Sequence, residues 1–227
     1  MKKSAYKRTL CALFSVFLAL TMVFPGEVAL AASAPGNVAR FSMSGCSAST
    51  VSLSWSKVKG ASGYRIRRYD SKSKKWKAVL TATKGSAIKG TVKKLSPATT
   101  YKLQIHAYKK AGKKTLYSKK AKALTVATKP AKVTLQSVKA SGAKITVSWK
   151  KVAASGYQVI YARNKQFKNG ESILVGGSNK AATYYAPYSG TYYVHLRPYK
   201  NLNGKKYYGS WSNTKAVKVN IPKQAYH

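Results

Sequence analysis

Histidine and the acidic residues are the side chains through which proteins carry out most acid–base and metal chemistry, and this chain has few of them. Its 227 residues contain three Asp or Glu and three His against 43 Lys or Arg, for a formal charge of +40. Paired carboxylates for general acid–base catalysis and carboxylate ligands for Ca²⁺ or Mg²⁺ need more acids than that. The composition therefore excludes these classes of catalytic and metal-binding site.

Two of the histidines, His106 and His195, are interpreted as the same position of an internal repeat, on the polar side of one strand. A ligand site shared by the repeats would need a Cys, Asp or second His at metal-ligand spacing, and the sequence has none there. A Ser-His-Asp triad would need Asp70 to meet His106, but the segment 70–73 is typical of a hairpin turn. The sequence also lacks a nucleophile elbow, a P-loop and a dinucleotide fingerprint. We predict a non-enzymatic protein without metal, cofactor or small-molecule substrate.

The excess of basic residues is the strongest functional signal. A surface of one sign repels itself and weakens folding, so a charge of this size favours a partner of opposite sign. Most of the charge is lysine, a hydrated point charge that suits diffuse attraction to phosphates, whereas bidentate reading of one phosphate or base favours arginine. The composition predicts binding to a delocalised polyanion rather than to a sequence-specific site or a discrete pocket.

Residues 1–31 have the pattern of a secretory signal peptide. Basic residues precede an apolar run over 10–24, and Ala29-Leu30-Ala31 matches a small-residue cleavage box. The run is short for a transmembrane span, and Cys11 stands at its start, whereas a lipoprotein needs a cysteine at its end. We predict cleavage after this box and no transmembrane anchor in the mature chain.

Cleavage would change the charge little. It leaves Asp70 and Glu171 as the acids, a formal charge of +37, and one cysteine, Cys46. A single cysteine excludes a domain stapled by intramolecular disulfides. The mature fold must be held together by packing alone.

The mature chain contains one duplication. Val51-x-Leu53-x-Trp55 matches Ile145-x-Val147-x-Trp149, and Tyr101-x-Leu103-x-Ile105 matches Tyr192-x-Val194-x-Leu196. The offset stays between 91 and 95 residues, so each unit is one domain rather than one turn of a solenoid. The predicted organisation is a signal peptide at 1–31, domains at 35–129 and 130–222, and a frayed tail at 223–227.

Within each unit the hydrophobic period is two. Val51, Leu53 and Trp55 alternate with serines, and Tyr64 and Ile66 alternate with arginines. This is the pattern of antiparallel strands with one buried face, and the sequence has no sustained helical period. Seven or so short strands in each unit predict an all-β fold of two tandem β-sandwiches.

The two units resemble tandem fibronectin type III domains, particularly those of secreted Gram-positive bacterial proteins. In the first unit Trp55 matches the strand B tryptophan, and Leu95-x-Pro97-x-Thr99-x-Tyr101 resembles the E–F corner, with its tyrosine at Tyr101. The second unit has the segment 185–190 there, and Pro198 where the first unit has Ala107, so we expect a distorted corner and an altered end of strand F. The resemblance implies the immunoglobulin-like sandwich fold for nearly all of the mature chain, and it is compatible with binding and spacer roles alike.

Strand alternation predicts which basic and aromatic side chains face solvent. Arg65, Arg67 and Lys102 are expected on one outer face, because strands C and F are neighbours in this fold, together with strand G residues such as Lys120 or Lys122. Further candidate polyanion contacts lie in lysine clusters at turns, at Lys109, Lys110, Lys113 and Lys114. Tyrosines that could stack on sugars or bases are Tyr193, Tyr199, Tyr207 and Tyr208.

These features lead to one functional hypothesis with rivals. We expect a secreted, cell-surface-associated protein that attaches electrostatically to an anionic polymer, with cell-wall teichoic acid as the leading partner. Extracellular nucleic acid is the first alternative, because it is a polyanion too. A carbohydrate-binding or spacer module for a partner enzyme is the second, and salt-insensitive binding of sugar through the tyrosines of the second domain would reveal it.

Overall fold

The computed structural model describes residues 32–222. The signal peptide predicted at 1–31 and the tail predicted at 223–227 lie outside the described residues. The described residues form strands, turns and loops, and they comprise two β-sandwiches that follow one another along the chain.

Eight strands build the first sandwich in two sheets. They are β1 (Phe41–Cys46), β2 (Val51–Trp55), β3 (Gly63–Asp70), β4 (Lys75–Ala82), β5 (Lys89–Val92), β6 (Thr100–Ala111), β7 (Lys114–Tyr117) and β8 (Lys122–Ala127). One sheet has the order β1-β2-β5, and the other has the order β4-β3-β6-β7 with β8 also paired to β6. β7 and β8 lie along the same edge of β6, so together they form one interrupted strand.

The second sandwich repeats this arrangement strand for strand. Its strands are β9 (Thr134–Ser141), β10 (Lys144–Lys150), β11 (Gly156–Ala162), β12 (Glu171–Gly176), β13 (Ala181–Tyr185), β14 (Gly190–Leu202), β15 (Lys205–Tyr208) and β16 (Lys215–Val219). The sheets have the orders β9-β10-β13 and β12-β11-β14-β15, with β16 also paired to β14. The prediction of an all-β fold of two tandem sandwiches is confirmed.

Alternation along the strands explains why these segments pair as they do. On β2, Val51, Leu53 and Trp55 are buried, while the serines between them face outward. Outside the core, the Oγ atoms of Ser42 and Ser54 lie 2.9 Å apart and link β1 to β2. A one-residue slip would turn every apolar side chain to solvent, so the buried set determines the register.

Each sandwich has its own core around a Trp–Tyr pair. The ring centroids of Trp55 and Tyr64 lie 5.5 Å apart in the first, and those of Trp149 and Tyr157 lie 5.1 Å apart in the second. All four side chains are at most 5% exposed. Burial of side chains this large gives several kcal/mol to each core, and truncating a buried Trp to Ala costs roughly 3–5 kcal/mol.

The buried hydroxyls of Tyr64 and Tyr157 form hydrogen bonds with backbone groups. The Tyr64 hydroxyl accepts a hydrogen bond from the Val58 N–H at 2.8 Å. The Tyr157 hydroxyl accepts from the Val152 N–H at 3.0 Å and donates to the Val152 carbonyl at 2.9 Å. Each tyrosine therefore anchors to the core the loop that leads into its own strand, β3 or β11.

A glycine begins the strand that carries each of these tyrosines. A Cβ at Gly63 would lie 2.6 Å from the hydroxyl of Tyr108, and one at Gly156 would lie 2.6 Å from the Val175 carbonyl oxygen and closer still to the Tyr199 hydroxyl. Tyr108 and Tyr199 thus lie across the two glycines, and only a residue without a side chain fits beneath them.

The hairpin predicted at residues 70–73 is confirmed. Asp70 Oδ1 accepts hydrogen bonds from the backbone N–H groups of Lys72 at 3.0 Å and Ser73 at 3.2 Å, and its carboxylate pairs with Lys77. The hydrogen bond from Lys77 and those from the turn lower the pKa of Asp70 to about 2. The carboxylate of Asp70 therefore already has its partners within its own hairpin.

The E–F corners of the two sandwiches differ, as predicted. The Ser96 N–H donates to the Tyr101 hydroxyl at 2.8 Å, which confirms the tyrosine corner of the first sandwich. In the second, the Tyr192 hydroxyl donates to the Tyr188 carbonyl at 3.1 Å. Seven residues separate β5 from β6, but only four separate β13 from β14, so the second corner is tighter.

The expectation that Pro198 alters the end of its strand is wrong. Pro198 pairs with Tyr157 as Ala107 pairs with Tyr64, and β14 continues beyond it to Leu202. Its carbonyl accepts a hydrogen bond from the Gly209 N–H at 2.8 Å. The strand tolerates proline because this acceptor remains in place and Gly209 leaves room for the ring, whose Cγ would lie 3.0 Å from a Cβ there.

Candidate functional site

Two arginines lie side by side on the outer face of the β4-β3-β6-β7 sheet. Tyr64 and Ile66 point into the core and are fully buried, so Arg65 and Arg67 point outward. Both guanidinium groups lie over the ring of Tyr117, at 5.2 Å and 5.5 Å from its centroid. The aromatic face attracts both cations and holds them close together despite their like charge.

Further side chains of this outer face come from β6. The strand register places His106 opposite Arg65 and Gln104 opposite Arg67, and Lys102 follows on the same side of β6. We call the set Arg65, Arg67, Lys102, Gln104, His106 and Tyr117 the arginine face. It brings together three of the basic residues predicted to bind a polyanion.

His106 supports the arginine face. Its Nδ1 lies 3.0 Å from the Ser118 carbonyl oxygen, which can only accept, so Nδ1 carries a proton and donates it. Its ring centroid lies 6.2 Å from that of Tyr117, at a steep angle. The histidine therefore orients the ring over which the two arginines lie.

Lys122 does not share this face, and the expectation that it does is wrong. Lys122 pairs with Ile105, which is buried on the inner side of β6, whereas Ala123 pairs with Gln104 on the outer side. The strand is interrupted between β7 and β8, and the interruption changes which residues point outward. Lys120 lies in that interruption, where its N–H donates to Asn37 Oδ1 at 2.8 Å.

The lysines of the β6–β7 hairpin are divided between its two sides. Lys110 pairs with Thr115 on the side of the arginine face. Lys109, which pairs with Leu116, and Lys114, which pairs with Ala111, lie on the other side, and Lys113 lies in the turn. These four charges raise the positive potential around the hairpin without forming one flat surface.

The equivalent sheet of the second sandwich carries a stack of rings and one guanidinium. The His195 ring lies between Phe167, at 3.5 Å between centroids, and Trp211, at 3.9 Å. The Arg197 guanidinium lies 4.2 Å from the Trp211 centroid and 3.9 Å from that of Tyr208. We call these five residues the ring stack.

Hydrogen bonding and burial fix the charge states within the ring stack. Arg197 Nε donates to Gln158 Oε1 at 2.8 Å, and burial lowers the pKa of Arg197. Burial, with a smaller contribution from the positive charge of Arg197, lowers the pKa of His195 to about 4. The His195 ring is therefore neutral near pH 7, and its Nε2 is buried without a hydrogen-bond partner in the described part of the chain.

The two histidines are not equivalent positions of the repeat. Arg65 and Gln158 are equivalent, since each follows the core tyrosine of its strand, and their cross-strand partners are His106 and Arg197. His195 pairs with Ile160 instead, two register pairs further along. The interpretation of a shared histidine position was wrong because it matched residue types without following the strand register.

The tyrosines predicted as stacking platforms are partly covered by the protein itself. The Arg197 guanidinium lies over the ring of Tyr208. Tyr199 packs edge-on against Tyr208, with ring centroids 5.8 Å apart. Tyr193 has the Lys165 ammonium at 6.0 Å from its centroid. Tyr207 pairs with Lys200 and lies on the other side of β14 and β15. The structure thus brings Tyr193, Tyr199 and Tyr208 to one side, without making them a continuous open surface.

Sequence reasoning assigned no binding role to four members of the ring stack: Phe167, His195, Arg197 and Trp211. The alternation of β14 identifies two of them, because His195 and Arg197 fall between the buried Val194, Leu196 and Pro198. Phe167 lies in the loop between β11 and β12, where no periodic signal exists.

Residues 32–222 contain no group of three His, Cys, Asp or Glu side chains close enough to hold a metal ion.

Cys46 is a free, half-buried thiol, and burial raises its pKa. Within residues 32–222, no helix is long and apolar enough to cross a membrane.

Comparisons with known proteins show that the first sandwich is similar to one domain family. The fibronectin type III domain family model matches residues 33–123. No curated protein matches the chain. A two-domain fibronectin type III segment of chicken tenascin is 17% identical, with a TM-score of 0.46 over 83% of this chain and all of that one. Domains FN1–FN3 of chicken CNTN1 are 18% identical, with a TM-score of 0.43 over 82% of this chain and 68% of theirs.

Proposed function

We propose that this protein is a secreted, non-enzymatic binding protein that attaches through the arginine face to an anionic polymer of the cell surface, with wall teichoic acid as the first candidate. Fibronectin type III domains are binding or spacer modules, and the family match at 33–123 supports that class of function. The finer assignment rests on the electrostatics of the first sandwich.

One observation carries the proposal: two guanidinium groups lie over the same ring without a carboxylate between them. Among the described residues the one salt bridge joins Asp70 to Lys77, in the hairpin turn rather than on the arginine face. Arg65 and Arg67 therefore repel each other, and an anion placed between them would relieve that repulsion. A phosphate fits this role because guanidinium groups donate in pairs to its oxygens.

The rest of the surface favours a long polymer over a single small anion. The first unit, residues 35–129, has a formal charge of +22, and its hairpin lysines extend the positive potential beyond the arginine face. Exposed charges are screened over roughly 8–10 Å in physiological salt, so a polymer that follows the surface meets many of them in succession. Each contact releases counterions from the polymer, and this release drives the attachment.

Nucleic acid is the alternative partner that the same physics allows, because its backbone is also a chain of phosphodiesters. Teichoic polymers take precedence under the proposal that the protein is secreted by a cell whose wall carries them, as the resemblance to proteins of Gram-positive bacteria implies. Lysine predominates over arginine in the chain, which favours a diffuse phosphate backbone over specific reading of bases.

The test measures binding of residues 32–227 to purified, immobilised wall teichoic acid, with duplex DNA as competitor at equal phosphate concentration. We expect teichoic acid to be preferred. For duplex DNA itself, the logarithm of the affinity should fall linearly with the logarithm of salt, with a slope near −0.9 for each phosphate neutralised. A footprint of about six to ten phosphates would lose roughly 10³–10⁵ in affinity between about 50 and 200 mM salt.

A pair of charge-matched variants tests the location. The arginine-face variant replaces Arg65, Arg67 and Lys102 with Gln, and the control replaces Lys89, Lys93 and Lys94, three exposed lysines in or after β5 of the opposite sheet, with Gln. Both remove three positive charges. The first should lower the salt slope by up to about three units, and the control should change it far less.

Two results would overturn parts of this proposal. Equal weakening by the two variants would mean that net charge governs binding and the arginine face has no special role. Stronger binding to DNA than to teichoic acid at equal phosphate would assign the face to nucleic acid. Near-ultraviolet circular dichroism of each variant verifies that the fold is retained.

A further inference from the structure

A small cavity opens at one end of the second sandwich, between its two sheets. It has a volume of about 160 Å³. Four of its nine lining residues are tyrosines, from β11, β13, β14 and the β13–β14 corner: Tyr161, Tyr184, Tyr188 and Tyr192. A cavity of this size holds one six-membered ring, since an engineered cavity of about 150 Å³ binds benzene.

The hydroxyl of Tyr161 is the feature that indicates a ligand. Tyr161 lines the cavity and is only 2% exposed, and its hydroxyl has no hydrogen-bond partner within residues 32–222. Buried hydroxyls are nearly always paired, because an unpaired one has lost its bonds to water without compensation. A ligand hydroxyl in the cavity would supply the missing partner.

A carboxylate and a guanidinium also line the cavity. Glu171 stands directly opposite Tyr161 in the register of β11 and β12, so both belong to the side that faces the cavity. The Arg163 guanidinium lies 5.9 Å from the ring centroid of Tyr188, and a Cβ at Gly190 would lie 3.3 Å from its Nη2. Glu171 offers an acceptor, Arg163 offers donors, and neither forms a salt bridge within the described residues.

The aromatic wall is ordered by contacts within the protein. The rings of Tyr161 and Tyr184 are stacked, with centroids 4.5 Å apart and planes at 18°. Burial, a hydrogen bond to the Glu171 carboxylate and the charge of that carboxylate raise the pKa of Tyr184 to about 12. The Tyr192 hydroxyl already donates to the Tyr188 carbonyl, so of these rings Tyr161 is the one with a buried, unpaired hydroxyl within residues 32–222.

The chemistry of the lining selects one class of ligand. Arg163 would repel a cation, Glu171 would repel an anion, and a purely apolar ring would leave the Tyr161 hydroxyl unpaired. A neutral ring with C–H groups on its faces and hydroxyls around its rim satisfies all three conditions, because the faces pack on tyrosine and the rim reaches the polar groups. Pyranose sugars have this structure.

We propose that the cavity binds one neutral pyranose ring of a glycan. This binding lies in the other sandwich from the arginine face and depends on packing and hydrogen bonds rather than on counterion release. It is independent of the function proposed above, so either can fail alone.

The experiment titrates residues 32–227 with cellotetraose, maltotetraose, mannotetraose and chitotetraose by isothermal calorimetry in about 0.5 M NaCl, where attachment to polyanions is suppressed. We expect at least one of these to bind. Tyr161→Phe removes only the unpaired hydroxyl and should weaken that binding about three- to tenfold, the usual effect of one lost hydrogen bond, while leaving the fold intact. Tyr185→Phe, at an exposed tyrosine outside the cavity, is the matched control and should bind like the unaltered chain.

Glu171→Gln gives a second, independent reading and should also weaken the binding. The absence of binding to all four oligosaccharides would overturn the proposal. So would a Tyr161→Phe variant that binds as tightly as the unaltered chain, or a Tyr185→Phe variant that loses binding to the same extent. None of these outcomes affects the salt-dependent test of the arginine face.

Discussion

The imidazole of His195 lies parallel to the ring of Phe167, with centroids 3.5 Å apart and planes at 5°. His195 lies in the middle of β14, and Phe167 lies in the loop between β11 and β12. Their contact therefore packs the loop against the sheet. Phe167 has a φ of 57°, a conformation that costs energy for a residue with a Cβ. The stacking offsets that cost.

The ring stack gives the protein a pH-dependent stability. In the unfolded chain His195 gains a proton as the pH falls through about 6.5, whereas in the folded chain it does so only near its lowered pKa of about 4. Stability is therefore complete above about pH 6.5 and declines from there towards pH 4, by about 1 kcal/mol because the ring is partly exposed. Urea unfolding at pH 7 and at about pH 4.5 measures the decline.

The matched variant for this prediction is His195→Phe, which keeps a flat ring between Phe167 and Trp211 but cannot gain a proton. Its unfolding free energy should change less over the same pH interval. Equal declines in the two proteins would show that another group causes the pH dependence.

The strained backbone at Phe167 predicts an unusual order of substitutions. Phe167→Ala loses the stacking and keeps the cost of the positive φ, so it should destabilise the chain by about 1–2 kcal/mol. Phe167→Gly loses the same contact, but glycine adopts this backbone conformation freely. We expect the glycine variant to be the more stable of the two by up to about 1 kcal/mol in urea unfolding, and the reverse order would contradict the role assigned to the backbone.

Two buried tyrosines on β11 differ in hydrogen bonding and should differ in their response to loss of the hydroxyl. Tyr157→Phe leaves the Val152 N–H and carbonyl without their partner and should cost about 1–3 kcal/mol. Tyr161→Phe removes a hydroxyl that has no partner within residues 32–222, so it should leave stability unchanged or increase it. Thermal denaturation of the two variants compares them directly; similar losses would mean that Tyr161 is paired in solution.

Salt should stabilise the fold. Residues 32–227 have a formal charge of +37, and their lysines repel one another over roughly one Debye length, which shortens as the ionic strength rises. We expect the melting temperature to rise by a few degrees from low salt to moderate NaCl, and KCl at the same ionic strength to act alike. A melting temperature that is flat or falls over this interval would contradict the account.

The strands and their cores could be predicted from the sequence because they depend on local alternation. Val51, Leu53 and Trp55 indicate a buried face by themselves, and Arg65 and Arg67 follow as outward residues once Tyr64 points inward. This reasoning failed at Lys122, because four residues between β7 and β8 break the strand and alternation does not continue across a break.

The ring stack and the tyrosine-lined cavity could not be predicted in the same way. Phe167 reaches His195 from a loop, and the cavity depends on a corner of only four residues that brings Tyr188 towards Tyr161. Such contacts depend on how loops of particular length fold back on the sheets. No periodic pattern in the sequence encodes them.

Gly63 and Gly156 are the same residue in both copies of the repeat, whereas the outer faces of the sheets that contain them differ. The outer faces of the two equivalent sheets have diverged in charge and chemistry, from Arg65 to Gln158 and from His106 to Arg197. Under the overlying tyrosines, the glycine has remained in both copies, because any Cβ would collide with Tyr108 or Tyr199. The glycine position therefore tolerates no substitution in either copy. The surface positions of the same sheets were free to mutate and to acquire new contacts.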